Sequence, residues 1–501
     1  MTQPLLSAED VAALRGALEL ASYTVDAVNQ AIGAEGEAGL ARNHTIAAER
    51  ALTDRDDNLA TLIRLFVLQQ AVPDSLAQSA LPVRGLSPAG MLVSHEGQTR
   101  ATLDIRPYAA DDGVAGWVVS DHAASLNTRP SMPKPDFVLG ISPASTTLAQ
   151  LTIRDRVGAA LDLGTGCGVQ VLHLAQHVNQ ITATDLNPRA LELAHLTLAL
   201  SGARADLRLG SLYEPVASQQ YDLITTNPPF VMSPTTHERL VYREGSYEAD
   251  GLMRAVVTDG AKHLAPGGTL QVLGNWVHLA GQPWEDRLAG WIEPTGCDAV
   301  VIQREVLDPY EYIEIWLTDA GLAGTPDYLP RYREWLDYFG RLEVEAIGMG
   351  WVTLRNEGRS QPAVSLEHWP HMVAQPVGAA IAQQLHAVDL ARMSNDALLI
   401  QRWVLAPDTI EESYGDPGAQ DPTHIVLRRQ QGLCRAIEVD TALGGVLGVC
   451  DGELPLWQVV RAVANLLHGD ESDVRAEILP RLRELVAHGW LKAAGDGEHA
   501  G

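Results

Sequence analysis

A glycine-rich run places the strongest constraint on the fold of this chain. The run reads LDLGTGCG over residues 161–168, after an apolar segment that predicts a β-strand and before a segment that predicts a helix. Its glycines at 164, 166 and 168 allow a tight turn and the close approach of a ligand to the backbone. A dinucleotide-binding fingerprint would carry glycine or alanine at position 169, where this chain has Val169. The run therefore predicts a strand–turn–helix unit whose ligand is not a dinucleotide.

Strand-like and helix-like segments alternate around this run, from residue 137 to about residue 320. The strand-like segments are AALDLG, QITATDL, ADLRLG, DLITTN and GTLQVLGNW. Such alternation predicts an α/β, doubly wound, Rossmann-like sheet with mainly parallel strands. We expect CDAVVIQREV, YEYIEIWLTD and AIGMGWVTLR to complete the sheet edge, and DYLPRYREWLDYFGRL to form an inserted helix.

Two further units flank the predicted sheet, since 501 residues fit about three domains. Residues 1–130 predict an N-terminal α+β accessory domain, in which helices precede short strands at LPVRGL, GMLVSH, ATLDIRPY and GWVVSD. Three prolines in NTRPSMPKPDF indicate a linker into the central domain, residues 131–358. Residues 359–501 predict a C-terminal helical, winged-helix-like domain.

Charge and cysteine content restrict the partners and the compartment. The net charge of −27 opposes binding to nucleic acid and to anionic lipid, although a locally basic groove would still accept RNA. The four cysteines form no CxxC pair, so we expect neither a zinc site nor a disulfide framework. The N-terminus lacks a signal-peptide pattern, and no apolar run is long enough to span a membrane. We therefore expect a cytoplasmic protein without membrane or metal partners.

Polar residues at the ends of the next two strands predict a cofactor that contains a nucleoside. Asp185 ends the second strand, where a carboxylate can accept hydrogen bonds from both ribose hydroxyls. Ser211 and Leu212 follow the third strand, where the edge of an adenine would lie. The glycine run and Asp185 together favour this interpretation over two ordinary turns between strand and helix.

The fourth strand ends in the motif Asn227-Pro228-Pro229-Phe230. An amide or exocyclic amine nitrogen is a poor nucleophile, because its lone pair is delocalised. The Asn227 side-chain oxygen and the Pro228 carbonyl oxygen can accept its two N–H bonds, and Phe230 can stack on a flat target. The prolines restrict the backbone and hold this geometry. Catalysis would then rest on positioning, without a metal or a covalent nucleophile.

The LDLGTGCG run, Asp185 and NPPF together resemble class I, Rossmann-like S-adenosylmethionine-dependent methyltransferases of the amino-group type. These include release-factor glutamine methyltransferases and rRNA guanine-N2 and adenine-N6 methyltransferases. The resemblance covers residues 137–280, and FVLGISPASTT at 137–147 resembles the loop that covers the cofactor. It implies a methyl-transfer site at Asn227, Pro228, Pro229 and Phe230. It implies that S-adenosylmethionine is held by Asp162, Gly164, Thr165, Gly166, Gly168, Asp185, Leu186, Ser211, Leu212 and Asn227. Many relatives carry Asp where Ser211 stands, so a backbone group would replace that contact here.

The sequence leaves open which class of molecule accepts the methyl group. A protein glutamine is slightly favoured, because the chain is acidic and its C-terminal part resembles peptide-binding winged-helix modules. Phe230 favours an rRNA base instead, because glutamine methyltransferases more often carry Tyr there. The basic residues Arg239 and Arg243, in the segment after NPPF, would contact a substrate or solvent equally well. A small-molecule methyltransferase and a non-catalytic S-adenosylmethionine-binding scaffold also fit the sequence, and no sequence feature specifies an oligomeric state.

Overall fold

Helices dominate the first part of the chain in the computed structural model, which describes residues 5–122, 126–128, 134–234, 247–416 and 423–495. Helix α1 begins at Ala8 because the Ser7 side chain accepts a hydrogen bond from the backbone N–H of Asp10 at 3.1 Å. The elements of this part are α1 (Ala8–Leu20), α2 (Val25–Leu40), α3 (Ile46–Ala51), α4 (Asn58–Leu62), β1 (Val72–Pro73), α5 (Asp74–Ala80), α6 (Val83–Leu86), β2 (Leu92–His95), β3 (Gln98–Ala101), β4 (Asp104–Ala109) and β5 (Ala115–Ser120).

The strands of this part form two small antiparallel sheets. Strands β1, β3 and β2 make one of them, and β4 pairs with β5 in a hairpin. The prediction of a strand at LPVRGL is wrong, because α6 forms there and buries Leu86. The other segments predicted as strands do contain strands.

Strands and helices alternate through the central part, as the sequence predicts. The elements are α7 (Pro143–Leu151), β6 (Val157–Leu163), α8 (Val169–Leu174), β7 (Val178–Asp185), α9 (Pro188–Ser201), β8 (Asp206–Leu209), β9 (Tyr221–Thr226), α10 (Gly251–Gly260), β10 (Leu264–Leu279), α11 (Trp284–Ile292), β11 (Asp298–Leu307), α12 (Pro309–Asp319), α13 (Tyr328–Arg341), β12 (Val344–Arg355) and β13 (Val364–His368).

These eight strands form one sheet in the order β13-β11-β12-β10-β9-β6-β7-β8. Only β12 runs antiparallel to its neighbours, which are β10 and β11. The chain passes outward from β6 to β7 and β8, then returns to β9 on the other side of β6. The expected α/β, doubly wound, Rossmann-like sheet is therefore confirmed. Its strand order reverses at β6 and β9, which is the position where such sheets bind ligands.

The segment YEYIEIWLTD forms helix α12 and not the sheet-edge strand that its alternating residues predict. Asp308 caps this helix by accepting a hydrogen bond from the backbone N–H of Glu311 at 2.8 Å, and Pro309 occupies its first turn. Tyr312, Ile313 and Leu317 lie buried on its inner face. The cap and this face outweigh the two-residue period of the sequence. Together with α13, the helix forms an inserted pair between the neighbouring strands β11 and β12.

The N-terminal part packs directly on helix α9 of the central part. The backbone N–H of Val119 in β5 donates to the buried Thr197 hydroxyl at 2.9 Å. The backbone N–H of Trp117 donates to the Ser201 hydroxyl at 2.9 Å. Buried side chains from both parts belong to a single hydrophobic core. The unit that we predicted over residues 1–130 therefore shares its core with the central sheet.

The C-terminal part begins later than the predicted boundary after residue 358, because β13 pairs with β11 as the last strand of the central sheet. The remaining elements are α14 (Gly378–Ala391), α15 (Asn395–Ile400), β14 (Arg402–Leu405), β15 (Thr409–Tyr414), β16 (His424–Arg429), β17 (Ala436–Val439), α16 (Thr441–Gly448), β18 (Asp451–Pro455), α17 (Leu456–Leu466), α18 (Glu471–Ala487) and β19 (Leu491–Ala493). Strand β14 pairs with β18 and β19, and β15, β16 and β17 form a separate sheet that the sequence did not predict.

Candidate active site

A cavity of about 310 Å³ opens at the carboxyl ends of β6, β7, β8 and β9. The predicted residues that line it are Asp162, Gly164, Thr165, Gly166, Asp185, Leu186, Ser211, Leu212, Asn227, Pro228 and Pro229. The carboxyl ends of parallel strands meet at one edge of a sheet, so residues from four separate segments converge there. Two predicted site residues, Gly168 and Phe230, lie outside the lining of this cavity.

The three glycines of the run adopt the left-handed backbone conformation, with φ of +74° at Gly164, +55° at Gly166 and +83° at Gly168. A β-carbon at Gly164 or Gly166 would meet no atom within 4 Å. One at Gly168 would lie 3.2 Å from the Cα of Ala194 in helix α9. Gly168 therefore allows α8 to pack closely against α9, whereas Gly164 and Gly166 form the wall of the cavity.

The Asp185 carboxylate joins the glycine turn to the end of β7. It accepts hydrogen bonds from the backbone N–H of Gly166 at 2.9 Å and of Asn187 at 2.8 Å, one on each oxygen. Burial raises the pKa of Asp185, although these backbone donors act in the opposite direction. The carboxylate is thereby fixed at the cavity wall with lone pairs left for a ligand.

Asp162, at the end of β6, is only 1% exposed, and its Oδ2 atom has no hydrogen-bond partner. Burial raises the pKa of Asp162 to about 7; the Thr165 hydroxyl acts against this rise and the charge of Asp185 adds to it. The Oδ1 atom of Asn227 is likewise buried without a partner. Buried acceptors are normally satisfied, so two unsatisfied ones beside one cavity indicate that a ligand supplies their donors.

The NPPF motif is held from both sides. The Thr226 hydroxyl donates to the carbonyl oxygen of Leu163 at 2.7 Å and so ties the end of β9 to the end of β6. After the motif, the backbone N–H of Met232 donates to the Tyr312 hydroxyl at 3.0 Å. Phe230 faces the edge of Trp316, with ring centroids 6.0 Å apart, and lines a smaller adjoining cavity together with both prolines. Phe230 therefore lies beside the main cavity.

Residues 137–140 line part of the cavity, and they belong to the segment 137–147 that resembles a cofactor-covering loop. The Asn187 side-chain amide donates to the carbonyl oxygen of Asp136 at 2.9 Å. The backbone N–H of Val138 donates to Asp121 at 2.9 Å, and Asp121 also pairs with Arg189. These three anchoring side chains were not predicted, because their partners lie far away in sequence.

Other lining residues were also missed. Gln170, a buried amide in helix α8, lines the cavity and donates to the carbonyl oxygen of Ser145 at 2.6 Å. Its polar side chain within VQVLHL was a signal that could have identified it. Tyr247 and Leu252 line the cavity from the far side of NPPF. Arg239 and Arg243 lie outside the described residues.

The described part of the chain contains neither a metal site nor a membrane-spanning helix. No group of three His, Cys, Asp or Glu side chains there has an arrangement that would hold a metal ion. None of the helices described is both long enough and apolar enough to cross a membrane.

Three parts of the chain match known protein families. Residues 140–283 match the family described as "Methyltransferase small domain", which confirms the resemblance seen in the glycine run, Asp185 and NPPF. Residues 20–102 match "Domain of unknown function (DUF7059)", and residues 385–493 match "Domain of unknown function (DUF7782)".

The similar curated proteins are methyltransferases of two kinds. A release factor glutamine methyltransferase of Geobacter sulfurreducens is 36% identical over 127 residues, which are 23% of this chain and 44% of that protein. A ribosomal RNA small subunit methyltransferase C of Serratia proteamaculans is 29% identical over 156 residues, which are 31% of this chain and 40% of that protein. The chain thus spans about half the length of the curated relatives it matches.

Among solved structures, the chain matches a 16S rRNA N2 G1207 methyltransferase of T. Thermophilus in complex with AdoMet and guanosine. The match covers 44% of this chain and 58% of that one, with 18% identity and a TM-score of 0.27.

Proposed function

We propose that this protein is an S-adenosylmethionine-dependent N-methyltransferase, which methylates a planar amide or exocyclic amine nitrogen of a macromolecule. A protein glutamine is the favoured acceptor. The observation that carries the proposal is the buried, unsatisfied Oδ1 atom of Asn227 at the end of β9. It lies on a cavity that also contains the buried, unsatisfied carboxylate of Asp162. The Asn227 oxygen suits an N–H donor, and the Asp162 carboxylate suits a cation.

The residues of the cavity fit S-adenosylmethionine, the donor that the methyltransferase family implies. Asp162 would accept the cationic amino-acid part, and the open backbone at Gly164 and Gly166 leaves room for it. Asp185, already held by two backbone donors, would accept the ribose hydroxyls. Ser211 and Leu212 would flank the adenine, with Thr165 and Leu186 completing the wall. When bound, the cofactor supplies an electrophilic methyl group on a sulfonium.

Asn227 and Pro228 would position the acceptor nitrogen. The side-chain oxygen of Asn227 and the carbonyl oxygen of Pro228 would each accept one N–H, which aims the nitrogen lone pair along the transfer direction. The bond from Thr226 to Leu163 fixes the start of this segment, and the Tyr312 hydroxyl fixes the backbone that follows it. Pro229 limits backbone motion, and Phe230 would contact the flat acceptor group from the adjoining cavity. Gly168 would contribute through packing, because it does not reach the cavity.

One observation favours a protein acceptor over RNA, a second is compatible with both, and a third favours a macromolecule over a metabolite. The net charge of −27 opposes a polyanion. Similar proteins include a release factor glutamine methyltransferase, although an rRNA methyltransferase is also similar. Large flanking parts suit a macromolecule better than a metabolite.

The four described cysteines are all free thiols, which favours action in the reducing cytoplasm.

The test is methyl transfer from labelled S-adenosylmethionine into a cell extract, with the products divided by protease and by ribonuclease. Asn227→Ala should abolish transfer, while Asn465→Ala, at an exposed position of α17, should leave it unchanged. Calorimetry with S-adenosylmethionine separates lost transfer from lost cofactor binding. Label removed by protease would support the proposal. Label removed only by ribonuclease would assign the acceptor to RNA, and cofactor binding without any transfer would indicate a scaffold.

A further inference from the structure

Tyr247 is an aromatic residue of the cavity wall that the sequence did not indicate. It lines the main cavity of about 310 Å³, and it shares the smaller adjoining cavity with Pro228, Pro229 and Phe230. The residue is 41% exposed, which leaves part of it available for contact with a ligand. Tyr247 therefore lies where the main cavity meets the NPPF motif.

Two aromatic residues line the main cavity within the described part of the chain, Phe137 and Tyr247. Phe137 directly follows Asp136, whose carbonyl oxygen accepts the hydrogen bond from Asn187 next to β7. It therefore belongs to the side of the cavity that we assign to the cofactor. Phe230 lines the adjoining cavity but not the main one. The aromatic ring of the main cavity that lies next to the acceptor position is thus the ring of Tyr247.

The chain that follows this tyrosine is held by three neighbouring elements. The backbone N–H of Ala249 donates to the Tyr338 hydroxyl of α13 at 2.7 Å. The Asp250 carboxylate accepts a hydrogen bond from the backbone N–H of Val277 in β10 at 2.9 Å and pairs with Arg287 of α11. Ala249 has a φ of +45°, a left-handed conformation that is costly for a residue other than glycine. Surrounding contacts therefore hold this turn in a conformation that its own sequence does not favour.

Gly251, the first residue of α10, leaves room for the tyrosine side chain. A β-carbon at Gly251 would lie 3.3 Å from the Cβ atom of Tyr247 and 3.6 Å from the Cδ1 atom of its ring. The side chain of Tyr247 thus packs over the backbone at the start of a helix. This packing and the anchored turn together fix the ring at the cavity wall.

We propose that Tyr247 is the residue whose ring contacts the flat acceptor group, and that Tyr338 positions it through Ala249; this inference rests on the proposed function. Asn227 and Pro228 would accept the N–H bonds in the plane of the acceptor amide. The faces of that plane are apolar, and the methyl group arrives at one of them. An aromatic ring stacks favourably on the other face and keeps the nitrogen directed at the donor.

The test compares Tyr247→Leu, which removes the ring, with Tyr247→Phe, which retains it. The probe is a dye-labelled peptide with a single glutamine, and fluorescence anisotropy measures its binding without any methyl transfer. Tyr247→Leu should weaken peptide binding about tenfold, as expected for one aromatic contact, and Tyr247→Phe should restore most of that loss. Calorimetry should show the native affinity for S-adenosylmethionine in both variants. Tyr414→Leu, at a 53% exposed tyrosine of β15, is the matched control.

Two further variants test how the ring is held. Tyr338→Phe removes the hydroxyl that binds Ala249 and should weaken peptide binding about threefold, within the range of one hydrogen bond. Since Tyr338 acts through Tyr247, this loss should vanish in the Tyr247→Leu background. Gly251→Ala should also weaken peptide binding, because its β-carbon would displace the tyrosine. Alanine is a better helix former than glycine, so a loss in this variant does not arise from unfolding of α10.

Equal peptide binding by the native protein and Tyr247→Leu would overturn the proposal. Additive losses from Tyr338→Phe and Tyr247→Leu would overturn the positioning role of Tyr338. Weakened S-adenosylmethionine binding in Tyr247→Leu would assign the ring to the cofactor and overturn the acceptor contact. The proposed function fails separately, since peptide binding that requires Tyr247 but leads to no methyl transfer would reject the enzymatic function alone.

Discussion

The Asp162 carboxylate should make both stability and cofactor binding depend on pH. Burial raises the pKa of Asp162 to about 7 from its ordinary value of 3.8. Between pH 3.8 and about pH 7, the Asp162 side chain therefore carries a proton in the folded protein that it does not carry in the unfolded chain. Raising the pH from 4 to 8 therefore destabilises the ligand-free protein through this group, by up to about 4 kcal/mol once the carboxylate is fully ionised.

Asp162→Asn removes this ionisation while keeping the size of the side chain. At pH 8 the free energy of unfolding of the variant should exceed that of the native protein by several kcal/mol, which corresponds to a Tm about 5–10 °C higher. At pH 4.5 the two proteins should differ little, because Asp162 is then protonated. Unfolding in guanidinium chloride at both pH values, with Asp111→Asn at an exposed position as the control, measures the difference.

The same group should couple S-adenosylmethionine binding to proton release. A cationic ligand favours the ionised form of Asp162, so the affinity of the native protein for S-adenosylmethionine should rise as the pH increases from 6 to 8. Below about pH 7, binding should release the proton that Asp162 carries in the ligand-free protein. Asp162→Asn should bind the cofactor more weakly and lose most of this dependence; Asp185, whose pKa is also raised, would leave a residual slope. Calorimetry in buffers of different ionisation enthalpy counts the protons. An identical pH dependence of stability in native protein and variant would refute the reasoning.

Three further substitutions test the packing around the site. Gly168→Ala should destabilise the protein more than Gly164→Ala, by about 1–3 kcal/mol, because only its β-carbon would meet Ala194 at 3.2 Å; equal losses on chemical denaturation would contradict this. Thr197→Val should cost about 1–3 kcal/mol by leaving the backbone N–H of Val119 without its acceptor, and an unchanged denaturation midpoint would argue against a shared core. Asp250→Asn should cost about 3 kcal/mol, because Arg287 would lose its buried counter-charge; no change in guanidinium unfolding would show that the pair adds nothing.

The sequence alone determined the chemistry-bearing turns of the central sheet. The glycine run, Asp185 and NPPF each follow an apolar strand, and each is encoded within a few residues. Backbone freedom at glycine, the restriction at proline and the alternation of strand and helix are local properties. The parallel sheet then brings these turns to one edge without further information, which is why all but two of the predicted residues line the cavity.

Tertiary structure alone decided which residues support that site. Asp121 reaches Val138 and Arg189, and Asn187 reaches Asp136, across gaps of 17 to 68 residues. The helical state of YEYIEIWLTD, the place of β13 at the sheet edge and the packing role of Gly168 were also hidden. Each depends on what a distant segment offers: an acceptor, a free strand edge or a nearby helix backbone. A local pattern fixes conformation, but a contact between distant residues exists only once the whole chain has brought its partners together.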